Sequence, residues 1–220
     1  MERIWEHEVP LRRDLRRLSK RLYRLGFTPG TSGNLSVRLD SKFILATPTG
    51  VSKSMLSKDD MVIVDLDGKQ YSGSRKVTSE IGMHLAVYNR RPDICAVVHS
   101  HPPIATGFAC SGRSLDEPLC SEAVMSLGAV PLARYATTGT EEVAESLAEF
   151  IPDHEAILMA NHGVVTYGKT LMDAFMKMET VEHFAQVNLI AHHLGSATPI
   201  QKDQLAALLD ARSRYVMNAA

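Results

Sequence analysis

Three histidines in this chain each follow an apolar segment typical of a buried strand, and together their side chains could hold a metal ion. His99 and His101 end one such segment, and His162 follows another, directly before Gly163. In extended backbone, residues two apart point to the same side, so His99 and His101 can converge on one point. The pair alone is also compatible with an ordinary polar strand end. With His162, the set supplies the three imidazoles and one open position that a catalytic zinc site needs.

Glu80 is the acidic residue best placed to work beside such an ion. It follows Thr78 and Ser79 at the predicted start of a helix. As a first-turn acid it would simply suit the helix dipole, which is the structural alternative. Near a metal, the same carboxylate could be a ligand or a general base. His84, one turn further along the same predicted helix, is not assigned to the metal, and neither are the other histidines.

Three short segments rich in glycine and hydroxyl side chains could bind an anion. They are residues 30–34, the turn Thr49-Gly50, and the pair Thr78-Ser79, which lies where a helix dipole favours negative charge. Neither glycine turn has the Walker or the dinucleotide-binding pattern, and each alone is compatible with a plain turn. Taken together, they favour a phosphate site.

The elements that must position these residues alternate between helices and strands, with no linker between them. The segments 105–108 and 123–125 are too short to assign. The pattern predicts one α/β domain over residues 1–220, with three α/β/α layers around a central, mostly antiparallel sheet. The predicted helices cover about 10–25, 79–91, 140 onward, 171–194 and 202 onward, and the predicted strands cover 35–39, 43–47, 61–66, 96–99, 155–160 and 163–167.

The composition is typical of a globular protein and gives no indication of nucleic-acid or membrane binding. The 220 residues are 45% hydrophobic and 22% charged, with a formal net charge of −1, so no basic field favours nucleic acid or a membrane surface. The arginines near the start alternate with leucines at helical spacing, which indicates an amphipathic helix. The first residues lack an apolar core, so we expect no signal peptide, and no apolar stretch reaches the length of a membrane span. Three cysteines without C-x-x-C spacing are typical of reduced thiols, and we expect a cytoplasmic protein.

The ordered set of motifs resembles the class II aldolase/adducin family, and most of all its L-fuculose-1-phosphate aldolase branch. The matching segments extend over most of the chain, from about residue 10 to residue 200. They are residues 30–38, 47–50, 79–80, 97–101, 135–140 and 161–163.

The resemblance implies a fold, a cofactor and a set of roles. The fold is that of class II aldolases, commonly assembled as a homotetramer with sites near subunit interfaces. His99, His101 and His162 would bind one Zn²⁺ per subunit, with Mn²⁺ or Co²⁺ as possible substitutes. Glu80 would be the acid/base residue and would also ligate the ion when substrate is absent. The substrate phosphate would be bound by Gly33, Asn34, Thr49, Gly50, Thr78 and Ser79.

The implied reaction is cleavage of a ketose 1-phosphate to dihydroxyacetone phosphate and an aldehyde. The substrate would be L-fuculose 1-phosphate or a related 5-deoxy or 5-modified pentulose 1-phosphate. Two further catalytic assignments concern the aldehyde half: Glu122, which occupies the approximate place of a family tyrosine, and Tyr215, in the place of a C-terminal tyrosine. The alternative for Tyr215 is a frayed terminal residue. The sequence does not identify the aldehyde, the stereochemistry or the pathway.

Other members of the superfamily offer competing activities. Sugar-phosphate dehydratases, decarboxylases and 4-epimerases share the histidines and the phosphate turns. The 4-epimerases have aspartate at the position of Glu80, so glutamate favours an aldolase. A non-catalytic adducin-like domain is a remote alternative, because such domains lose metal ligands that this chain keeps.

Overall fold

Eight strands form one sheet in the part of the chain that the structure describes. The structure is a computed structural model that describes residues 5–218, with side chains through residue 214. The sheet order is β4-β3-β2-β1-β5-β8-β7-β6, and every neighbouring pair is antiparallel except β6 and β7. The predicted, mostly antiparallel sheet is therefore confirmed. The strands are β1 (Asn34–Arg38), β2 (Phe43–Ala46), β3 (Val62–Asp65), β4 (Gln70–Ser72), β5 (Ala96–Ser100), β6 (Leu132–Ala133), β7 (Ala156–Met159) and β8 (Gly163–Gly168).

Seven α-helices accompany the sheet within the described range. Two of them, α3 and α4, are the segments too short to assign from sequence, because a helix of two turns gives little hydrophobic periodicity. A short 3-10 turn also precedes β3, at Lys58–Asp60. The helices are α1 (Glu8–Arg24), α2 (Ile81–Arg90), α3 (Pro103–Cys110), α4 (Ser121–Ser126), α5 (Glu141–Leu147), α6 (Leu171–His193) and α7 (Lys202–Asn218).

Alternation along the central strands divides the core into two layers. Leu35 and Val37 of β1 pack with α1, α3 and α6 on one side of the sheet. Val97 of β5 and Val165 of β8 pack with α2 and α5 on the other side. Successive strand side chains point to opposite faces, so each strand contributes to both layers. The three-layer α/β/α architecture expected from the sequence is confirmed.

The three central strands bring distant segments to one edge of the sheet. In the β1–β5 pair, Asn34 lies opposite His99, and in the β5–β8 pair His99 lies opposite Val165. The start of β1, the end of β5 and the start of β8 therefore meet. His101 follows the end of β5 and His162 precedes β8, so this edge gathers all three histidines.

The N-terminal ends of α2 and α5 lack side-chain caps. The α2 helix begins at Ile81, with Glu80 as its N-cap, so Ser79 lies just before the helix. Thr140 is the N-cap residue of α5, but its side chain makes no capping hydrogen bond. Its hydroxyl donates instead to the Thr137 carbonyl, while the Glu142 carboxylate accepts a hydrogen bond from the Thr137 amide. Among the described helices, none is long and apolar enough to cross a lipid bilayer.

Candidate active site

The three histidines predicted from the strand ends form a tight cluster. One ligand nitrogen from each of His99, His101 and His162 can be chosen so that all lie within 4.8 Å of one another. The Nε2 atoms of His99 and His101 are 3.0 Å apart. Their spacing of two residues does bring both rings to one side of the sheet edge, as extended backbone requires. Three imidazoles facing one point have the donor set of a transition-metal site.

Hydrogen bonding and burial prepare His99 to act as a ligand. Its Nδ1 lies 2.9 Å from the Val164 carbonyl oxygen. A carbonyl can only accept, so Nδ1 carries the proton and Nε2 presents its lone pair to the cluster. Burial, reinforced by the neighbouring rings of His101 and His162, lowers the pKa of His99 to about 3. Burial also lowers the pKa of His101. Neutral imidazoles are the form that binds metal.

Gly163 allows the two histidine segments to approach closely. A Cβ at this position would lie 2.6 Å from His101 Cδ2 and 2.7 Å from the Ser100 carbonyl oxygen. The preceding turn also has an unusual backbone, since Asn161 adopts a φ of 56°, a conformation that asparagine tolerates better than most residues. Any side chain at position 163 would push His101 away from the cluster.

Glu80 completes the cluster from the start of α2. Its Oε1 lies 3.0 Å from His162 Nε2, and its Oε2 lies 3.4 Å from His99 Nε2. Oε2 also accepts a hydrogen bond of 2.8 Å from Asn34 Nδ2. Although Oε1 is close to His162, it is buried and makes no hydrogen bond of good geometry among the described residues.

The charge state of Glu80 reflects two opposing effects. Burial would raise the pKa of this carboxyl group. The rings of His99 and His162, together with the hydrogen bond from Asn34, outweigh burial and hold the pKa below its usual value. A buried carboxylate oxygen without a hydrogen bond of good geometry, beside three clustered imidazoles, is an arrangement that a divalent cation would complete. These residues therefore fit a metal ion, although several divalent ions suit such ligands.

A cavity of about 430 Å³ opens beside the cluster, and the three predicted anion-binding turns line it. It therefore places the glycine-rich turns in one space with Glu80 and two of the three clustered histidines. Thr138 and Gly139 also line it; they belong to a family-like motif to which the sequence analysis gave no role. The lining residues are Thr31, Ser32, Gly33, Asn34, Pro48, Thr49, Gly50, Thr78, Ser79, Glu80, His101, Thr138, Gly139 and His162.

Backbone contacts hold the anion-binding turns together. The Thr78 amide donates to the Thr47 carbonyl, and the Thr49 amide donates to the Lys76 carbonyl. Gly33 has a φ of 71°, and a Cβ there would lie 2.5 Å from Thr28 Cγ2 and 3.0 Å from the His99 carbonyl oxygen. Only glycine allows the first turn to lie this close to the end of β5. The turns and the histidines thus form a single packed unit.

Lys53 is a charged residue of this region that the sequence analysis missed. Its side chain is 1% exposed, and its Nζ donates to the carbonyls of Thr31 and Val51. It therefore joins the turn 30–34 to the segment after Gly50. Burial lowers the pKa of Lys53 to about 8, while the charge of Glu80 acts in the opposite direction. No local sequence pattern around Lys53 predicts that this side chain is buried, because the burial arises only from the folded arrangement.

Of the two residues assigned to the aldehyde half, Glu122 lies away from this cavity, and the side chain of Tyr215 is not among the described residues. Glu122 is exposed near the start of α4, where its carboxylate accepts a hydrogen bond from Cys120 Sγ. It does not line the cavity of its own chain. Tyr215 lies in the last turns of α7, and its side chain is outside the described residues.

Comparison with known proteins identifies relatives of the whole fold. The family model described as Class II Aldolase and Adducin N-terminal domain matches residues 13–189. An L-fuculose phosphate aldolase of Methanococcus maripaludis is 38% identical over 81% of this chain and 96% of its own length. A 3-oxo-tetronate 4-phosphate decarboxylase of Escherichia coli is 35% identical over 83% of this chain and 88% of its own length.

A solved structure supports the same relationship. That of an L-fuculose 1-phosphate aldolase superimposes with a TM-score of 0.86 at 30% identity, covering 92% of this chain and 95% of that one. The likeness therefore extends over most of the fold. The chain belongs to the class II aldolase and adducin family, and it is a metal-dependent lyase of that family.

Proposed function

We propose that this protein is a zinc-dependent aldolase that cleaves a ketose 1-phosphate to dihydroxyacetone phosphate and an aldehyde. One observation carries the proposal: the anion-binding turns line the same cavity as Glu80, His101 and His162, and His99 completes the histidine cluster. A substrate that bridges them needs a phosphate at one end and oxygens able to bind a metal at the other. A ketose 1-phosphate has both. L-fuculose 1-phosphate, or a 5-deoxy or 5-modified pentulose 1-phosphate, is the proposed substrate class.

The metal would be held by His99, His101 and His162. When bound, a divalent cation supplies Lewis acidity for the negative charge that develops on the ketone oxygen as the carbon–carbon bond breaks. The proposed ion is Zn²⁺, one per subunit, because it favours neutral imidazoles with an open position. The hydrogen bond from His99 to the Val164 carbonyl fixes the ring orientation that this binding requires.

The phosphate would lie against the turns that line the cavity. Gly33 and Gly50 leave room for close approach, with φ angles of 71° and 69°. Asn34, Thr49, Thr78 and Ser79 would supply polar groups, and the N-terminus of α2 adds a favourable dipole.

Glu80 would carry the proton at the carbon next to the carbonyl. It lines the cavity, and the Asn34 amide holds its Oε2, so Oε1 is the oxygen available for proton transfer. In its ionised form the Glu80 carboxylate can accept a proton, as a general base must. In the absence of substrate, the same oxygens would ligate the ion.

Residues from a neighbouring subunit would complete the part of the site that binds the aldehyde portion of the substrate. We infer a homotetramer with sites near subunit interfaces, in which Glu122 or Tyr215 reaches the site of a neighbouring subunit. The exposed position of Glu122 outside its own cavity agrees with this inference.

A second candidate function is decarboxylation of a 3-oxo sugar acid phosphate. The similarity to the decarboxylase of Escherichia coli favours it specifically. That reaction also generates negative charge beside a carbonyl, so the same metal and phosphate positions would serve. Dehydratase and epimerase activities use the same groups, and a non-catalytic adducin-like role would leave the histidine cluster without a purpose.

The deciding experiment is a panel of ketose 1-phosphates and 3-oxo acid phosphates, assayed in parallel with metal analysis. We expect about one zinc per subunit, from the three-histidine site. We also expect release of dihydroxyacetone phosphate from at least one ketose 1-phosphate. Carbon dioxide release, or a ketone product without cleavage, would select the alternatives. Purified protein with no metal and no affinity for added Zn²⁺ would overturn the enzymatic proposal.

A further inference from the structure

Four hydrogen bonds, three of them fully buried, connect Glu80 to the buried Tyr88. Asn34 Nδ2 donates to Glu80, and Asn34 Oδ1 lies within hydrogen-bond distance of His84 Nε2. Ser36 Oγ is 2.7 Å from His84 Nδ1 and 2.8 Å from the Tyr88 hydroxyl. We call Tyr88, Ser36, His84, Asn34 and Glu80 the α2 network. Its four residues below Glu80 are all at most 4% exposed.

The α2 network forms because the two-residue spacing along β1 matches the four-residue spacing along α2. Asn34 and Ser36 are two apart on β1, so they share the face that packs on α2. Glu80, His84 and Tyr88 are four apart along α2, so they share one helix face. Two strand residues span about 6.6 Å, and four helical residues span about 6 Å. The side chains therefore interleave along both elements.

The direction of every hydrogen bond in the network follows from its members. The NH₂ of Asn34 donates to Glu80 Oε2, so the remaining amide atom, Oδ1, faces His84 and can only accept. Nε2 of His84 must then donate. Burial lowers the pKa of His84 to about 4, so its ring is neutral and Nδ1 accepts from Ser36. The single hydroxyl proton of Ser36 is then committed, which leaves Tyr88 as the donor to Ser36.

We propose that His84 is a positioning residue for the base: with Ser36 and Tyr88 behind it, His84 fixes the orientation of the Asn34 amide, and so holds Glu80 Oε2 while Oε1 faces the reaction. The proposal rests on the proposed role of Glu80 as general base. Four donors aligned toward one carboxylate polarise each other, which strengthens the last bond. If Asn34 turned its amide over, its oxygen would face the Glu80 carboxylate and the network would fail.

The proposal predicts that breaking the network remotely lowers kcat rather than raising KM. His84→Leu removes both ring nitrogens, and we expect kcat to fall about thirtyfold. Ser36→Ala should lower kcat about tenfold and Tyr88→Phe about threefold, the range for lost buried hydrogen bonds. KM and zinc content should stay near the values of the unaltered protein. His84→Gln keeps a donor toward Asn34 and should recover most of the loss in His84→Leu.

The chain offers a matched control for Tyr88→Phe. Tyr167 is also fully buried, and its hydroxyl donates to the Ile151 carbonyl, far from Glu80. Tyr167→Phe should leave kcat unchanged. Ser36→Ala combined with Tyr88→Phe should cost no more than Ser36→Ala alone, since the two act in series. If Tyr88→Phe and Ser36→Ala match the Tyr167→Phe control, or if their effects simply add, the proposal is wrong.

A second measurement does not depend on turnover. In metal-free protein, NMR should show the side-chain amide protons of Asn34 protected from hydrogen exchange, and Ser36→Ala should reduce that protection. Loss of turnover in Glu80→Gln tests the base itself. If Glu80→Gln keeps turnover, the proposed role of Glu80 as base fails, whereas unchanged Asn34 protection in Ser36→Ala shows that the network itself does not exist.

Discussion

Two buried lysines occupy opposite kinds of environment. Nζ of Lys177 on α6 is 2.6 Å from Glu155 Oε2 and 3.0 Å from Asp173 Oδ2. We call these three residues the α6 network. Lys53, in contrast, has no carboxylate within 4.0 Å among the described residues and donates to two carbonyls beside the anion-binding turns.

The cavity region has charged groups without partners of opposite charge or good hydrogen bonds, whereas the charges of the α6 network are paired. The charge of Lys177 is balanced by its neighbours. Lys53 supplies a positive charge without a carboxylate partner, and Glu80 has a buried oxygen without a good hydrogen bond. Buried charges that are left unsatisfied mark the places where a ligand completes the structure. Under the proposed function, a phosphate and a metal would complete the cavity region, whereas the charges of the α6 network are already paired within the fold.

The largest effect should follow from changing the base. Glu80→Gln keeps the shape of the side chain and an acceptor for Asn34 but loses the carboxylate. We expect turnover to fall by roughly a hundredfold or more, as loss of a general base does, while fold and zinc content stay largely intact. Steady-state kinetics, circular dichroism and metal analysis check this. Near-normal turnover would remove Glu80 from its role and weaken the contrast between the regions.

The second effect concerns the α6 network. Lys177→Met leaves Glu155 and Asp173 without their partner, and we expect the free energy of unfolding to fall by roughly 2 kcal/mol. This is less than for a fully buried pair because water can reach both carboxylates. Turnover per folded molecule should not change. Denaturant unfolding beside kinetics measures both, with exposed Lys202→Met as control. A drop in kcat would show that the α6 network serves the site as well.

The smallest effect should come from Lys53. Lys53→Met removes a positive charge beside the turns, and we expect affinity for inorganic phosphate to weaken roughly tenfold, or about 1.4 kcal/mol. Since the pKa of Lys53 is about 8, it is charged below that pH. Phosphate affinity of the unaltered protein should therefore decline as pH rises above 8, and the variant should lack that decline.

Calorimetry at pH 7 and pH 9 tests the Lys53 prediction. Lys58→Met is the matched control, because Lys58 lies on the same connection between β2 and β3 but is exposed. Equal phosphate affinity in Lys53→Met and Lys58→Met would mean that the buried charge serves only to join the two segments.

Local sequence patterns predicted the sheet, the long helices and the residues of the histidine cluster. His99 and His101 were predictable because strand spacing alone aligns them, and His162 because it follows a second apolar strand. The roles of Lys53 and His84 were not predictable. Both depend on which residues come together across the β1–α2 contact and beneath the turns, and no local pattern encodes that. The short helix α4 could not be predicted from the sequence either, because its six residues show too little hydrophobic periodicity.

The pairing of β5 with β8 has a consequence for how the protein folds. His99 and Val164, which meet in the native sheet, are 65 residues apart in sequence. A partly folded chain offers a metal ion only the local pair His99 and His101, and the third ligand arrives when β8 docks. Closing so long a loop is a late and slow event. Metal capture is therefore expected to follow assembly of the sheet, so that Zn²⁺ slows unfolding more than it speeds folding.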